Sequence, residues 1–431
     1  MILLSPEKRQ TTRQKNDMKK GAILSSVIKI LNDILSSDKK ANLTVRNYLR
    51  RNKFVGSKDR KLINNLVFKY LKNFYSLKKI LKKNNLKFSI RSSLLVYYFN
   101  AFHKGNLEEV YDGKYSIKPE INDKVLFQIK ENIFPSIPAW LREKNFLSFY
   151  KNNNDFYKSI LLEARVDLRI DGGLYTRNEI IEKLKNNDIK ASKCVYSSLG
   201  ITLEKRIPEN HFNKIKNNYF EIQDEGSQIM TMLIGARAGD KVLDYCAGRG
   251  TKTLALYNQI SKRTGLYAYE INQIRLKFLL NRLKELKIMN ISVVNSLELY
   301  ENFFDIIVLD VPCSGTGIWR RKPEDLIRLN REKLERYKRN QKRILNNSVK
   351  YCKSNGIIVY ITCSILEEEN EEQIKDFLKV NKNFETINLK KTLKEKIKFN
   401  SIEDNMKWFT LMPNTLMTDG FFISIMRKKY V

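Results

Sequence analysis

Histidine is almost missing from this chain, which has two, His103 and His211, in 431 residues. There are five cysteines, Cys194, Cys246, Cys313, Cys352 and Cys363, an odd number with no C-x-x-C spacing. That excludes a zinc site built on closely spaced Cys and His. It also gives no disulfide framework, which a cytosolic chain of this size would not carry. Cys194, Cys352 and both histidines fall in no chemical pattern and read as structural. Eight Pro and 17 Gly exclude fibrous and low-complexity classes. No apolar run approaches the length of a membrane span. The opening MILLSPEKRQ is too short in apolar residues for a signal peptide, so the expected location is cytoplasmic, with no membrane partner. Acid is also scarce, with 47 Asp+Glu against 80 Lys+Arg and a formal charge of +33. Such a field favours a polyanionic partner, nucleic acid above all.

The length predicts two to three domains. Residues 1–20 read as a mobile basic tail. From Leu24, one helical face carries Val27, Ile28, Leu31, Ile34 and Leu35. Leu62, Ile63, Leu66, Val67, Tyr70 and Phe74 repeat the pattern, with Gly56-Ser57-Lys58-Asp59 between them offering a turn and caps. Residues 21–135 are therefore expected to be helical. Residues 1–90 hold 23 Lys/Arg against 5 Asp/Glu, so +18 of the +33 lies in about a fifth of the chain. This is either a solvated helical surface or a polyanion-docking module, and the concentration favours the latter. Pro135 and Pro138 mark a boundary. Residues 139–215 mix strand-like VDLRI (166–170) with a helical stretch from Asn178 to Lys185 and form a small α/β connecting domain. From residue 219 to 431, the runs KVLDYC, GLYAYE, ISVVNS, FFDIIVLDV and GIIVYITCS alternate with helical stretches, notably 272–288 and 323–353. That alternation implies an α/β, mainly parallel, doubly wound sheet.

Chemistry concentrates at the ends of these strands. KVLDYC runs into Ala247-Gly248-Arg249-Gly250-Thr251 and a helix at Lys252, a glycine turn that lets backbone approach a ligand. The next strand ends in Glu270, whose carboxylate suits a ribose diol. Gly-rich turns and strand-end acids are common, so this pair alone leaves a nucleoside cofactor and an ordinary turn both open, and the spacing disfavours NAD. LDVPCSGTG brings Asp310 and Cys313 to the edge where open α/β sheets do chemistry, and ITCS brings Cys363 to the same edge. A single strand-end cysteine is usually a small buried hydrophobe, but two over one cleft are harder to dismiss. The acids Glu367, Glu368 and Glu369 suit the start of the following helix. Trp319 reads equally as a base-stacking or a packed aromatic.

Five ordered motifs, QDEGSQ (223–228), DYCAGRGTKT (244–253), LDVPCSGTGIWRRKPE (309–324), VYITCSILEEENEEQI (359–374) and TDGFFISIMRK (418–428), make residues 219–431 resemble the catalytic domain of the Sun-type (Fmu) RNA cytosine-C5 methyltransferases. The N-terminal half, through FVGSKDRKLINNLVFKYL, is similar to the bacterial small-subunit ribosomal RNA branch of that family. There a NusB-like RNA-binding domain precedes a small α/β segment and a Rossmann-like domain dependent on S-adenosyl-L-methionine.

The resemblance implies methyl transfer to carbon 5 of a cytosine in RNA, most naturally 16S ribosomal RNA, by a monomer. It implies Cys363 as the nucleophile adding to carbon 6, Asp310 at the base edge, Lys252 polarising the same region, and Cys313 in release of the carbon-5 proton. The implied cofactor residues are Cys246, Ala247, Gly248, Arg249, Gly250, Thr251, Lys252, Glu270, Asn295 and Asp310. This chain departs from the family at Arg249-Gly250-Thr251, where Pro-Gly-Gly is usual, with Thr251 expected to narrow the backbone. It departs again at Asn295, where Asp is usual, and at Asn414, where His is common. Two alternatives are a DNA cytosine-C5 methyltransferase, which would use Cys313 as nucleophile, and a non-catalytic RNA-binding or ribosome assembly factor. Retention of Cys313, Cys363, Asp310 and Lys252 together argues against decay to a binding factor.

Overall fold

The computed structural model describes residues 17–102, 105–142, 154–207, 220–260, 265–397 and 405–430. His103, His211 and most of the basic tail lie outside them. Two compact units divide the chain, Met1–Ile137 and Pro138–Val431.

The first unit contains α1 (Lys20–Leu35), α2 (Ala41–Arg51), α3 (Ser57–Lys83) and α4 (Ile90–Ala101). α1 buries Leu24, Val27, Leu31 and Ile34 as its periodicity requires, with Ile23 and Ile30 added. Gly56 occupies the N-cap of α3 without a side-chain bond. Asp59 is buried and accepts from the Met18 amide at 3.1 Å. Past α4, regular structure thins to a 3₁₀ turn (Leu107–Val110) and a short helix (Asp123–Gln128). Arg91 holds that segment through a two-pronged pair with Asp123, both contacts at 2.6 Å, and Tyr111 donates to the same carboxylate at 2.7 Å.

In the second unit the helices Ala139–Arg142 and Asn154–Leu161 precede a four-stranded antiparallel sheet, in order β2 (Ala191–Lys193), β3 (Gly200–Leu203), β1 (Val166–Ile170), β4 (Phe220–Ile222). The helix Arg177–Lys185 packs on it, started by a capping box between Thr176 and Glu179. β4 lies past residue 219 in sequence but pairs with β1. The QDEGSQ run then ties this sheet to the next element. Glu225 accepts from the Tyr196 and Ser197 amides at 2.6 and 3.0 Å, and Gln228 accepts from Ser197 Oγ at 2.6 Å.

The main sheet runs β10 (Phe384–Thr386), β12 (Phe421–Lys428), β9 (Cys352–Thr362), β8 (Phe304–Asp310), β5 (Lys241–Asp244), β6 (Gly265–Tyr269), β7 (Ile291–Val294). The strands from β9 to β7 are parallel, as the alternating runs predict. β12 is antiparallel to β9, and β10 and β11 (Phe409–Leu411) pair antiparallel with β12, so the sheet is mixed. Both faces are covered, as buried parallel strands require. Val242, Ile306, Val308, Val359 and Ile361 pack into one core layer, and Leu243, Ile307, Leu309, Ile358 and Tyr360 into the other. The chain leaves β5 for β6 and β7, then returns to the opposite side of β5 for β8 and β9. That reversal opens a crevice at the carboxyl ends of β5 and β8, the usual ligand position of such sheets. The helical stretch read as 323–353 is two helices, Pro323–Arg328 and Arg331–Ser348. Leu329 is extended, and the Asn330 side chain caps the second helix by accepting from the Lys333 amide at 2.8 Å. Among the described residues, no helix is long and apolar enough to cross a membrane, and no cluster of three or more His, Cys, Asp or Glu could hold a metal ion.

Candidate active site

At the end of β5 the backbone turns through Gly248 (φ +58) and Gly250 (φ +82) before the helix Thr251–Tyr257 begins. Both positions require the left-handed region, which glycine occupies without strain. Thr251 is the first helical residue, and its φ is not positive. The expected narrowing there therefore has no backbone consequence, because the strained positions have kept their glycines. Gly248 donates its amide to Glu270 Oε2 at 2.8 Å, and Asn272 donates to Oε1 at 2.7 Å. Glu270 is thus locked at the end of β6, facing the glycine turn. The Arg249 guanidinium stacks over the Phe278 ring at 4.3 Å. Asn295 is exposed immediately after β7, the neighbour of β6. Asp244, the last residue of β5, is fully buried. Its Oδ2 accepts from Thr253 Oγ1 at 2.7 Å, and its Oδ1 has no protein partner. Burial pushes its carboxyl up to about 7, helped by the charges of Asp310 and Glu270 and opposed by Thr253 and Lys252. Burial likewise raises the Cys246 thiol well above its ordinary value, followed by the charge of Asp244.

Lys252 lies in the first turn of that helix with its ammonium 2.7 Å from Asp310 Oδ2. Burial works to lower its pKa, but the Asp310 carboxylate outweighs it and Cys363 adds to the same direction, so Lys252 stays an ammonium. Asp310 ends β8 and Cys363 follows β9, and their strands run in register with Asp310 beside Ile361. The sulfurs of Cys313 and Cys363 stand 3.3 Å apart, within hydrogen-bonding distance, and both cysteines are free thiols. The Cys313 thiol is pushed well above its ordinary value by that contact first, then by burial and the nearby Cys363 and Glu369 charges. The four residues expected to carry chemistry thus come together at one sheet edge. Asn414 is exposed in the short helix Pro413–Leu416. Trp319 is fully buried, which makes it a packed aromatic and not a base-stacking one.

Several residues that hold the site carry no signal in local sequence reading. Asp224 and Asp419, from the first and last motifs, meet Arg320 and Arg321 from the third. Arg320 Nε donates to Asp419 at 2.5 Å, Arg321 bonds to Asp419, and Arg321 reaches Asp224 at 2.7 Å. Removing one member of such a buried group costs about 3–5 kcal/mol, since it strands charge in the interior. Gly317 sits against Gly420, and a Cβ at Gly317 would lie 2.2 Å from the Gly420 carbonyl oxygen. Across this contact Gly317 donates to the Cys363 carbonyl at 2.9 Å, and Gly420 donates to the Gly317 carbonyl at 2.8 Å. The acids Glu367–Glu369 form a 3₁₀ turn ahead of the helix Glu371–Val380. Glu369, the last of these acids, has a further role in the fold. It is fully buried beneath both cysteine loops. Complementary charge in distant motifs, Arg-Arg in one and Asp in two others, is the one signal that could have pointed to the first cluster.

A family described as 16S rRNA methyltransferase RsmB/F matches residues 231–427. The chain is 27% identical over 277 residues to the probable ribosomal RNA small subunit methyltransferase B of Bacillus subtilis (strain 168), covering 62% of this chain and 61% of that relative. The chain thus spans about three-fifths of that relative's length. The crystal structure of PH0851 has a TM-score of 0.75 at 18% identity, covering 96% of this chain and 100% of that one. NSun6 from Pyrococcus horikoshii with SFG has a TM-score of 0.56 at 17% identity, covering 68% of this chain and 99% of that one. At these identities the two structures show a shared fold.

Proposed function

We propose that this chain methylates carbon 5 of a cytosine in RNA; the match of residues 231–427 to the family described as 16S rRNA methyltransferase RsmB/F supports the reading. The observation that carries the reading is the pair of free thiols 3.3 Å apart beside the Lys252–Asp310 ion pair. A one-thiol chemistry needs no such pair.

S-Adenosyl-L-methionine is the cofactor this reading requires, and it supplies an electrophilic methyl group. The residues fit it. Gly248 and Gly250 leave the turn open to backbone approach, and Glu270 offers each carboxylate oxygen a further lone pair for a ribose hydroxyl. Asn295 offers an adenine contact at the next strand end, and Asp244 Oδ1 is a buried acceptor with no protein partner. Cys246, Ala247, Arg249 and Thr251 complete the turn. The neighbour crystallised with SFG, an S-adenosylmethionine analogue, supports the choice.

Carbon 5 of cytosine is a poor nucleophile. The Cys363 thiolate adds to carbon 6, and the electron pair of the 5,6 double bond becomes available at carbon 5. Asp310, held by Lys252, bonds the base edge and attends the ring nitrogen that gains electron density. Once carbon 5 is methylated, Cys313 takes its proton, for which it must stand as the thiolate; the C–H electron pair reforms the 5,6 double bond, and Cys363 leaves carbon 6 as a thiolate with the pair of the broken C–S bond. The target cytosine must be unstacked for carbon 6 to be reached.

The finer assignment is small-subunit ribosomal RNA as substrate and action as a monomer. The substrate assignment draws on the resemblance of residues 21–135 to a NusB-like domain and on the +18 carried by residues 1–90. Incubating the chain with methyl-labelled S-adenosylmethionine and total RNA, in parallel with DNA, tests the reading. Label is expected in RNA as 5-methylcytosine, and bisulfite sequencing of RNA from a deletion strain locates it. Label in DNA would point to a DNA enzyme. Cofactor binding without transfer to any RNA would favour an assembly factor.

A further inference from the structure

Glu369 has no exposed surface, and the chemistry above uses neither of its oxygens. Its Oε1 accepts from the Ser314 amide and from Gln341 Nε2, both at 2.9 Å. Its Oε2 accepts from the Ser314 hydroxyl and, at 2.5 Å, from the Ser364 hydroxyl. Ser314 follows Cys313 in the chain, and Ser364 follows Cys363. Gln341, from the helix Arg331–Ser348, also donates to the Pro312 carbonyl at 3.0 Å. One carboxylate therefore grips the residue after each thiol and, through Gln341, the residue before Cys313. Among the described residues no cation bonds to it, and burial is the largest influence on its pKa, which is raised. Such a buried acid is costly to keep unless its bonds do something an apolar residue could not.

We propose that Glu369 is a positioning residue whose carboxylate sets the separation of the Cys313 and Cys363 sulfurs. The two cysteine loops come from different strands, and few links join them. Among the described residues the others are the Ser314 and Ser364 hydroxyls, 3.3 Å apart, Gly317 to the Cys363 carbonyl, and the Thr316 hydroxyl with Ser364 and the Ile365 amide. With the clamp removed, the loops part, and Cys313 no longer reaches a base bonded to Cys363. That consequence rests on the function proposed above; the sulfur separation itself does not. Displacement of a reacting group by about 1 Å costs on the order of 100-fold in rate.

The test uses the full chain and reads the separation without RNA. Diamide takes two electrons and two protons from neighbouring thiols, leaving a disulfide and its own hydrazine form. Peptide mapping by mass spectrometry follows the Cys313–Cys363 bridge with time. Glu369→Ala should bridge at least ten times more slowly than wild type. Glu369→Gln keeps every contact, because its carbonyl takes the Oε1 bonds and its amide donates to two serine hydroxyls that turn to accept. It should bridge within about threefold of wild type. If Glu369→Ala fails to melt cooperatively, Ser364→Ala, which cuts one arm of the clamp, replaces it and should also be slow. Bridging at the wild-type rate in the clamp-cut variant overturns the proposal, as does Glu369→Gln bridging as slowly as Glu369→Ala. In single turnover with RNA, the Ala variant should accumulate a covalent methylated adduct. Should wild type methylate no RNA, the function proposal fails while the bridging comparison still decides this one.

Discussion

Asp244→Asn isolates the cost of the buried carboxylate at the end of β5. Asp244 is fully enclosed, has one partner, Thr253, and its carboxyl is pushed from 3.8 to about 7, chiefly by burial. Each pH unit of displacement corresponds to about 1.4 kcal/mol. The ionised form is therefore about 4 kcal/mol costlier in the fold than in the unfolded chain. The sign follows from proton counting. Between roughly pH 4 and 7 the folded chain holds a proton the unfolded chain has lost, so stability falls as pH rises through that window. Asn cannot titrate. It keeps an acceptor for Thr253 but brings an amide N–H without an acceptor, a constant cost of about 1–3 kcal/mol. Wild type has lost about 1.7 kcal/mol of this contribution by pH 5 and about 4 kcal/mol by pH 8, so in urea unfolding of both chains at pH 5, 6, 7 and 8 the variant should gain about 2–3 kcal/mol on wild type across the range and lead by about 1–3 kcal/mol at pH 8. Glu371 is also raised to about 7 by burial, but it is common to both chains and cancels in the difference. A difference that stays flat across this range would refute the reasoning, since it would mean that Asp244 ionises as readily in the fold as in water.

Three further outcomes are expected. On denaturing gels with labelled RNA, Cys313→Ala should give a retarded covalent band and Cys363→Ala none; the reverse pattern would move the nucleophile to Cys313. Gly317→Ala drives a methyl group into the Gly420 backbone and should cost about 1–3 kcal/mol, read as a lowered Tm. An unchanged Tm would mean that the loop has room to shift. Deleting residues 1–135 should weaken RNA binding and flatten its salt dependence while leaving cofactor binding intact; equal RNA affinity would remove the docking role of the first unit.

Strands β5–β9 could be read from sequence because each carries an apolar run, buried on both faces in β5, β8 and the second half of β9, and α1 and α3 because their apolar faces repeat at helical spacing. Strands β10 and β11 could not be read. Each is three residues long and is defined by its partner β12. The stretch after α4 was expected to be helical, but it is held by the Arg91–Asp123–Tyr111 bracket, whose members lie apart in the chain. The same division holds at the site. Cys313, Cys363, Asp310 and Lys252 stand in motifs at strand ends, where topology alone places them. Glu369 reads from sequence as one of three acids opening a helix, and only the fold carries it under Ser314 and Ser364. Trp319 and Arg320 stand within one motif, yet nothing local marks them as buried.

The position of β12 sets an order on synthesis. It lies between β9 and β10, and the chain just before it supplies Asp419 and Gly420 to the thiol edge. The Asp419 amide donates to the carboxylate of Asp224, 195 residues earlier. Contacts of such sequence separation form late, because loop closure must precede them. A nascent chain that has displayed both cysteines still lacks the strand that completes the sheet and the acid that seats Arg320 and Arg321. Until translation has passed Phe421 and this stretch has left the exit tunnel, the growing polypeptide is a thiol-bearing intermediate whose sheet edge is unfinished.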